Sequence, residues 1–574
     1  MKLNIKQIGT GALSVILAGF LMQGCSASNP DGNAEDTVQA PVLSVAALTV
    51  SGVVLDATTL KPVEGASIAY SGNGKDDIVN KSSQSAPGGV VTFTSNKTTT
   101  SVNVLASKDG YIDTGVQVSV VDSNSSTFTI KMIKVDNTPT GVAAKQEEVN
   151  ATINNDGNIT APIVIETVIP DANASAKTQK TELVIPAGTV IKDKSGAVVD
   201  GNLSVTLTAF TADDENSTQS FPGGFAVLAQ TSEPNATTSV EENISFVTAG
   251  FTSIVIKNDK GQKVKEFSQP IEVKMQIKEG TINPDTNKAI AVNDIVPVWS
   301  FEEDTGVWSF EQNGTVKDLN TTDGFYDVVV QANHLSYWNL DWHYSAVCNQ
   351  AVIDLKDSNG NLVVGKNVYM HAKFQNGSGY LFSGYIYGDG FAKMYNVPKN
   401  KPIIVDAYLS VDRTKSIGTL TMNVTDAACT AGTHYTLPVD TTAFPVIVEQ
   451  KVKVQEMCAN GKINRTAVPN LYMYATDTSN GYQYLGGKYT DVNGEVSYNV
   501  VKNDTINYYI AVGSSSAWEQ TGSYYDSITT SGAAETLTYT LHLVGNTANC
   551  LANEEQPEDT GATGGTTPEG EEFQ

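Results

Sequence analysis

The sequence predicts an all-β protein, built of tandem β-sandwich modules with a larger central β-domain. Apolar and polar residues alternate strictly in many short runs, as in 271–278 and 537–543, which is the pattern of half-buried strands. Charged residues make up only 17%, while Thr, Ser, Asn and Gly abound, a composition typical of polar-faced strands. Turn sequences such as Asp357-Ser-Asn-Gly360 separate the runs. The length between the polar chain ends suggests about three to five domains.

The start of the chain predicts export and a membrane anchor. Lys2 and Lys6 precede an apolar run from residue 8 to 21, which is too short for a good spanning helix. The run ends at Gly24-Cys25 and resembles a bacterial lipoprotein signal covering residues 1–24. That resemblance implies diacylation of the Cys25 thiol, with the lipid bilayer as partner. Because Ser26 rather than Asp follows Cys25, it also implies the outer membrane. An ordinary secretory signal is the alternative.

Both ends of the mature chain are predicted to lie outside the folded modules. Residues 25–47 are small and polar, as in a flexible tether. Residues 553–574 contain seven acidic residues and no basic one, so this tail cannot bury enough surface to fold. These segments leave residues 48–552 for the modules.

Composition and motifs argue against several functional classes. The chain has 36 basic and 62 acidic residues, a net charge of −26, which disfavours nucleic-acid binding. It has no Gly-x-Ser-x-Gly elbow, no His-Glu-x-x-His and no phosphate loop. The sequence therefore predicts a non-enzymatic protein with no cofactor and no metal site.

Residues 48–136 carry the pattern of a small sandwich. The matching elements are Gly52-Val53-Val54 with Asp56, the Pro62 to Ala66 turn, Gly89 before a strand, and Lys108-Asp109-Gly110-Tyr111. This stretch resembles carboxypeptidase regulatory-like domains, which are transthyretin-like sandwiches related to the CnaB modules of adhesins. The resemblance implies a fold, because in the enzymes that carry it this domain is an appendage.

The last third is a tandem repeat with predicted boundaries 345–444 and 445–552. "NVYMHA" at 367–372 matches "NLYMYA" at 470–475, and a cysteine opens and closes each copy. Four cysteines allow three pairings, and the repeat selects Cys348 with Cys429 and Cys458 with Cys550. Each disulfide would contribute about 4–5 kcal/mol in the chain-entropy model. Both copies are predicted to be further transthyretin-like sandwiches.

The central domain is predicted at 151–344. Its Ile185-Pro186-Ala187-Gly188 turn and its Trp299 and Trp308 strands resemble the β-domain of ankyrins and netrin receptors, and its end resembles the related GAIN domains. Self-cutting members of that group end in a tripeptide like His334-Leu335-Ser336. The resemblance would make His334 the base, Ser336 the nucleophile and Leu335 the source of the attacked carbonyl. The alternative, which we favour, is an uncut strand end with the tryptophans in the core.

These observations leave three functions open. The first is an outer-membrane-anchored surface lipoprotein acting in adhesion, binding or scaffolding, on either the periplasmic or the external face. The second is a self-processing protein cut between Leu335 and Ser336. The third is a polysaccharide-binding accessory protein, because exposed tyrosines suit carbohydrate or protein ligands and the two repeats are rich in them. The tyrosines are Tyr380, Tyr385, Tyr387, Tyr395, Tyr472, Tyr474, Tyr482, Tyr484 and Tyr489.

Overall fold

The computed structural model describes residues 48–543, with gaps at 73, 96–98, 121–126, 150–157, 171–177, 235, 237, 239, 304, 376–379, 411, 459–462, 480–482, 511–517, 520–524 and 530–535. The signal at 1–24, the tether at 25–47 and the tail at 553–574 lie outside the described residues. So do Cys25 and Cys550, whose predicted roles stay predictions.

The first module is a sandwich of a four-stranded sheet, in the order β3-β4-β1-β7, and a three-stranded sheet, β2-β5-β6. Short 3-10 turns at Lys75–Asp77 and Pro87–Gly89 join strands. The strands are β1 Leu48–Asp56, β2 Ser67–Ser71, β3 Ile78–Lys81, β4 Val90–Ser95, β5 Thr99–Ser107, β6 Thr114–Val120 and β7 Thr127–Met132.

Strand β1 is buried on both faces. Val50 and Val54 lie in the core of the first module, whereas Val53 and Leu55 point outward into a separate apolar cluster. This strand reads "LTVSGVVLD" without alternation, which is the pattern of a strand covered on two sides.

The central domain is a sandwich whose strands form one continuous ladder. Its elements are β8 Val142–Val149, β9 Ile163–Pro170, β10 Thr178–Ile185, β11 Ile191–Lys192, β12 Leu203–Phe210, α1 Glu215–Thr218, β13 Ala226–Gln230, β14 Glu241–Asn258, β15 Glu266–Lys278, β16 Ile282–Asn283, β17 Lys288–Ala289, β18 Ile295–Glu302, β19 Val307–Asn320, β20 Phe325–His334 and β21 Tyr337–Tyr344.

The ladder of the central domain runs β8-β12-β14-β21-β18-β19-β20-β15-β10-β9, with β11 and β13 beside it. The long strand β19 joins the two layers, because its first part pairs with β18 and its last part with β20. The predicted start at residue 151 leaves out β8, which pairs along its whole length with β12. The Lys-Gln-Glu-Glu run inside β8 is exposed or half-buried. Its polar sequence therefore gave no indication that β8 is a strand of the central domain.

The first repeat contains a three-stranded sheet, β25-β22-β28, and a four-stranded sheet, β24-β23-β26-β27. A 3-10 turn at Thr441–Ala443 leads out of it. Its elements are β22 Val347–Lys356, β23 Asn367–Phe374, β24 Tyr380–Tyr387, β25 Phe391–Pro398, β26 Pro402–Leu409, β27 Ser416–Asn423, α2 Asp426–Ala431 and β28 His434–Pro438.

The second repeat follows the same order. One sheet contains β30, β29, β37, β35 and β33, and the other is β32-β31-β34-β36. Its strands are β29 Ile447–Met457, β30 Ile463–Arg465, β31 Tyr472–Asp477, β32 Gln483–Tyr489, β33 Glu495–Val501, β34 Thr505–Ile510, β35 Trp518–Glu519, β36 Tyr525–Thr529 and β37 Thr536–Leu543.

The first module and both repeats share one topology. In each, the first strand pairs in parallel with the last strand: β1 with β7, β22 with β28, and β29 with β37. In each, the other edge of the first strand pairs antiparallel with the strand that follows a glycine turn: β4, β25 or β33. The predicted all-β fold of tandem β-sandwiches is therefore confirmed.

The four units contact one another in a closed cycle. The central domain and the first repeat share one continuous apolar core. Ala57, Ile112 and Ile133 of the first module join a second core of the central domain. The second repeat has its own core and touches the first repeat where Asn499 lies beside Gly365. It closes the cycle through an apolar cluster with the first module.

Candidate functional site

The predicted disulfide of the first repeat is confirmed. Cys348 on β22 is bonded to Cys429 on α2, with 5.7 Å between their Cα atoms. The bond therefore holds helix α2 against the first strand of this repeat. Cys458 is also disulfide-bonded. Its predicted partner, Cys550, lies outside the described residues, so that pairing stays a prediction.

The predicted tripeptide lies in the short connection between β20 and β21. His334 is the last residue of β20, and its Nε2 is 3.3 Å from Glu311 Oε1. Its ring lies over Trp338, with 5.0 Å between the ring centroids. The Ser336 hydroxyl is buried and donates to the carbonyl of Tyr337 at 3.0 Å, and the Leu335 amide donates to Lys265 O at 2.8 Å. The proposed base and nucleophile thus each have a different partner.

The tryptophans around the tripeptide form part of the core, as we expected. Trp299 and Trp338 are at most 1% exposed, and the indole N–H of Trp299 donates to Asp341 O at 3.0 Å. Asp341 is itself fully buried, and burial raises the pKa of its carboxyl well above the ordinary value. His343 packs edge-on against Trp299, so Asp341, Trp342 and His343 belong to a packing cluster.

A polar cluster joins three units at a place that the sequence did not indicate. We call it the three-unit junction, and it consists of Lys131 of the first module, Glu215 and Gln219 of the central domain, and Tyr369, His371, Asp406, Tyr408 and Arg413 of the first repeat. Tyr369 Oη donates to Glu215 Oε1 at 2.6 Å. His371, only 5% exposed, lies between Glu215 Oε2 at 3.8 Å and Asp406 Oδ2 at 3.2 Å.

The electrostatics of the junction are set by burial and by opposite charges. Burial acts to raise the pKa of Glu215, but hydrogen bonds from His371 and Tyr369 and the nearby positive charges lower it to about 2. Burial lowers the pKa of Lys131 to about 7, and the charge of Arg413 acts in the same direction. The Lys131 ammonium is enclosed and makes no hydrogen bond within the described part of the chain. The junction therefore holds side chains of three units together through charge and hydrogen bonds.

A second set of contacts joins the last unit to the first. We call it the tyrosine clasp, formed by Tyr472, Tyr474, Tyr484, Tyr489 and Tyr509 of the second repeat against β1 and β4. Tyr484 Oη donates to Ser51 Oγ at 2.6 Å, and the hydroxyls of Tyr489 and Thr49 are 2.8 Å apart. The rings of Tyr474 and Tyr509 stack with centroids 4.7 Å apart. Tyr474, Tyr484 and Tyr509 share an apolar cluster with Val53, Leu55 and Val90.

The junction and the clasp use the same face of the two repeats. The matching motifs place His371 of β23 where Tyr474 stands in β31. His371 pairs in register with Asp406, and Tyr474 pairs with Tyr509. The outer face of the second sheet is thus the docking face in both copies, toward the central domain in one and toward the first module in the other.

Sequence reasoning missed both docking faces, although one left a signal. The three consecutive apolar residues Val53, Val54 and Leu55 of β1 are typical of a strand covered on both sides. Glu215 gave no such signal, because it lies in a polar stretch, 154 residues before its partner Tyr369.

Within the described residues, no helix is long and apolar enough to span a membrane. The same residues contain no cluster of three or more His, Cys, Asp or Glu side chains that could hold a metal ion. The cleft between the two repeats encloses about 10 Å³, which is room for about one water molecule.

Comparisons with known proteins return structural neighbours only; no protein-family model and no curated protein matches the sequence. The minor pilin GBS52 of Streptococcus agalactiae matches with 9% identity and a TM-score of 0.17, over 34% of this chain and 97% of that one. The shaft pilin SpaA of Lactobacillus rhamnosus GG matches with 5% identity and a TM-score of 0.18, over 34% and 98%. The major pilin subunit BcpA of Bacillus cereus, in a variant form, matches with 9% identity and a TM-score of 0.13, over 86% and 99%.

Proposed function

We propose that this protein is a lipid-anchored scaffold of the outer membrane, a non-enzymatic surface protein that presents a rigid body of four β-units to a ligand or partner. The anchor is Cys25, and the tether at 25–47 leads into β1. The observation that carries the proposal is the tyrosine clasp, because it fastens the last unit onto the strand that follows the tether.

The clasp favours a scaffold for a physical reason. A chain of sandwiches joined only by short linkers would bend at each joint, since joints with small interfaces move by default. Here Tyr484 and Tyr489 bind β1 across more than 430 residues of sequence, and the junction holds the first repeat to Glu215. Each unit is therefore held at two sides, which suits a protein that must keep a fixed shape outside the cell.

The contacts of the candidate residues weigh against the two other functions. Tyr474, Tyr484 and Tyr509 are buried at the clasp, so they are not free for a polysaccharide. His334 contacts Glu311, and no hydrogen bond joins it to the Ser336 hydroxyl among the described contacts. No observation favours self-cleavage over an intact chain.

Fractionation of cells that express variants tests the proposal. We expect Cys25→Ser to leave an uncleaved or soluble precursor, while the neighbouring control Gln23→Ala keeps the protein in the outer-membrane fraction. A Cys25→Ser protein that still fractionates as a lipidated mature form would refute the anchor. Protease treatment of intact cells then shows whether the body faces outward, and a pull-down on insoluble polysaccharides tests the third function directly.

A further inference from the structure

The acceptor sequence for asparagine-linked glycosylation, Asn-x-Ser/Thr, recurs along this chain with an unusual partition. Sixteen sites have this pattern. Ten of them carry Asp or Glu two residues before the asparagine. These ten are Asn124, Asn150, Asn158, Asn173, Asn202, Asn216, Asn235, Asn243, Asn313 and Asn320. The six without the acid are Asn80, Asn96, Asn376, Asn423, Asn464 and Asn503.

Composition does not account for this partition. Acidic residues are 62 of 574, so chance would place an acid at that position in about two of the sixteen sites. All ten acidic sites lie between residues 124 and 320, and every site in that interval is acidic. The interval covers the central domain and the approach to it, and no acidic site lies in either repeat. An acid two residues before the asparagine, present at every site of one region and at none elsewhere, indicates a sequence that an enzyme recognises.

Two acidic sites lie on exposed surface of the central domain. Asp318 and Asn320 at the end of β19 and Thr322 in the turn that follows are all exposed. The side-chain amide of Asn320 donates to Asp323 Oδ2 at 2.6 Å within this turn. Asp200 and Asn202 are exposed in the connection before β12. Exposed connections of this kind are where an acceptor asparagine is expected, because the enzyme must reach the amide.

Two other acidic sites are partly covered in the folded chain. Thr218 of the Asn216 site is 2% exposed, and Ser245 of the Asn243 site is 0% exposed. These hydroxyls can be read by an enzyme only before folding is complete or during local opening. We therefore expect the sites to differ in occupancy, with Asn320 and Asn202 modified most completely.

We propose that the central domain is an N-glycosylated surface, modified by a transferase that reads an acidic residue two positions before the acceptor asparagine. An Asp or Glu at the same position in all ten sites fits a positively charged group in the acceptor site of the enzyme, because a charge-assisted contact requires a fixed position. The donor is a sugar activated as a lipid diphosphate. The Asn Nδ2 forms a bond to the anomeric carbon, the bond from that carbon to the phosphate oxygen breaks, and the diphosphate leaves with the electron pair. The amide proton passes to a base of the transferase.

This inference rests on the proposed function in one respect, since the chain must be exported to meet the transferase. Its location also suits that function. The docking faces of the two repeats are occupied by protein, whereas the central domain keeps exposed connections at Asn202 and Asn320. Glycans there would cover the free surface of the scaffold without entering an interface.

Peptide mass spectrometry of the full-length protein, purified from the membrane fraction of the cells that make it, tests the inference. We expect a hexose-containing mass increment on the peptides of Asn320 and Asn202. We expect none on Asn423 and Asn503, whose asparagines are also exposed but lack the acid. Asp318→Ala should abolish the increment at Asn320, whereas Lys317→Ala, which changes an exposed neighbour outside the pattern, should retain it.

A gain of modification provides the sharpest control. Thr421 is exposed and stands two residues before Asn423, so Thr421→Asp completes the pattern at a site that lacks it. We expect this variant to acquire the increment at Asn423. A protein that reaches the membrane but carries no sugar at any of the ten sites would overturn the inference and leave the anchor proposal intact. Equal modification of Asn423 with and without Asp would overturn the role of the acid.

Discussion

The two repeats show how one fold can dock through two different chemistries. They share strand order, register and docking face, yet the first repeat docks through charge and the second through tyrosines. Glu215, His371 and Asp406 form the polar part of the first interface, beside the shared apolar core, and Tyr484 and Tyr489 provide the polar contacts of the second. The comparison indicates that the sandwich supplies the position of a docking face, while a few side chains on β23 or β31 decide its partner.

The largest effect is expected where the first repeat and the central domain share one core. Trp338→Ala should destabilise both together by about 3–5 kcal/mol, because it removes a buried indole from a continuous cluster. Tyr498→Ala should affect the second repeat alone, whose core is separate. Calorimetry should show a joint transition moving in the first variant; independent melting of the first repeat would break the comparison.

Breaking the charged junction should have the next largest effect. Glu215→Ala removes the carboxylate that accepts from Tyr369 and lies near Lys131, while His371 keeps Asp406. Because Glu215 is 33% exposed, we expect a loss of about 1–3 kcal/mol. Glu215→Gln should recover part of it, by keeping the hydrogen bond with Tyr369. The loss should shrink at high salt, and denaturant titration at two ionic strengths measures this. A loss independent of salt would show that packing, not charge, holds the junction.

The clasp should respond more weakly and without salt dependence. Tyr484→Phe removes the hydrogen bond to Ser51 while keeping the ring, so we expect a loss of about 1 kcal/mol. Ser51→Ala removes the hydroxyl that contacts both Tyr484 and Tyr472, so this variant should lose more stability than Tyr484→Phe. Hydrogen exchange of β1 and β32 should report the opening. Unchanged exchange in Tyr484→Phe would place the strength of the clasp in its apolar contacts.

The smallest effects are expected in the pH dependence of the two interfaces. The junction and the clasp should weaken at opposite ends of the pH range. The pKa of Glu215 is lowered to about 2, so its contribution is present above the unfolded value, near 4, and is lost as pH falls toward 2. Burial raises the pKa of Tyr472 to about 12, so its contribution is present below about pH 10 and is lost as pH rises toward 12. The junction should open in acid and the clasp in alkali, measured by hydrogen exchange of β23 and β31. Opening of both at the same pH would contradict this assignment.

Lys131 allows a further test of the junction near neutral pH. Burial lowers its pKa to about 7, so the unfolded chain binds more protons than the folded chain between about pH 7 and 10.5. Stability should therefore rise with pH in that window, and Lys131→Met should remove the rise. Thermal melting of both proteins at pH 7 and pH 9 measures it; an identical pH dependence would show that Lys131 remains charged in the fold.

Much of the architecture could be predicted because it depends on local patterns. Strict alternation at 271–278 became the buried and exposed faces of β15, and the matching motifs at 367–372 and 470–475 became β23 and β31. The Cys348–Cys429 pair followed from the matching positions of the cysteines in the two copies, although Cys429 lies on α2 and not on the last strand. Strand β8 fell outside the predicted domain bounds, because its exposed Lys and Glu residues gave no sign of its pairing with β12.

The sequence by itself determined the all-β class, the repeated sandwich plan, the predicted anchor at Cys25 and the partition of acceptor sites around the central domain. Only the tertiary structure decided which faces meet, that His334 contacts Glu311, and that the tyrosines of the second repeat serve the first module. The physical reason is distance along the chain. Tyr489 and Thr49 are 440 residues apart, and such a contact depends on the mutual orientation of whole modules, which no local pattern of alternation or turn residues encodes.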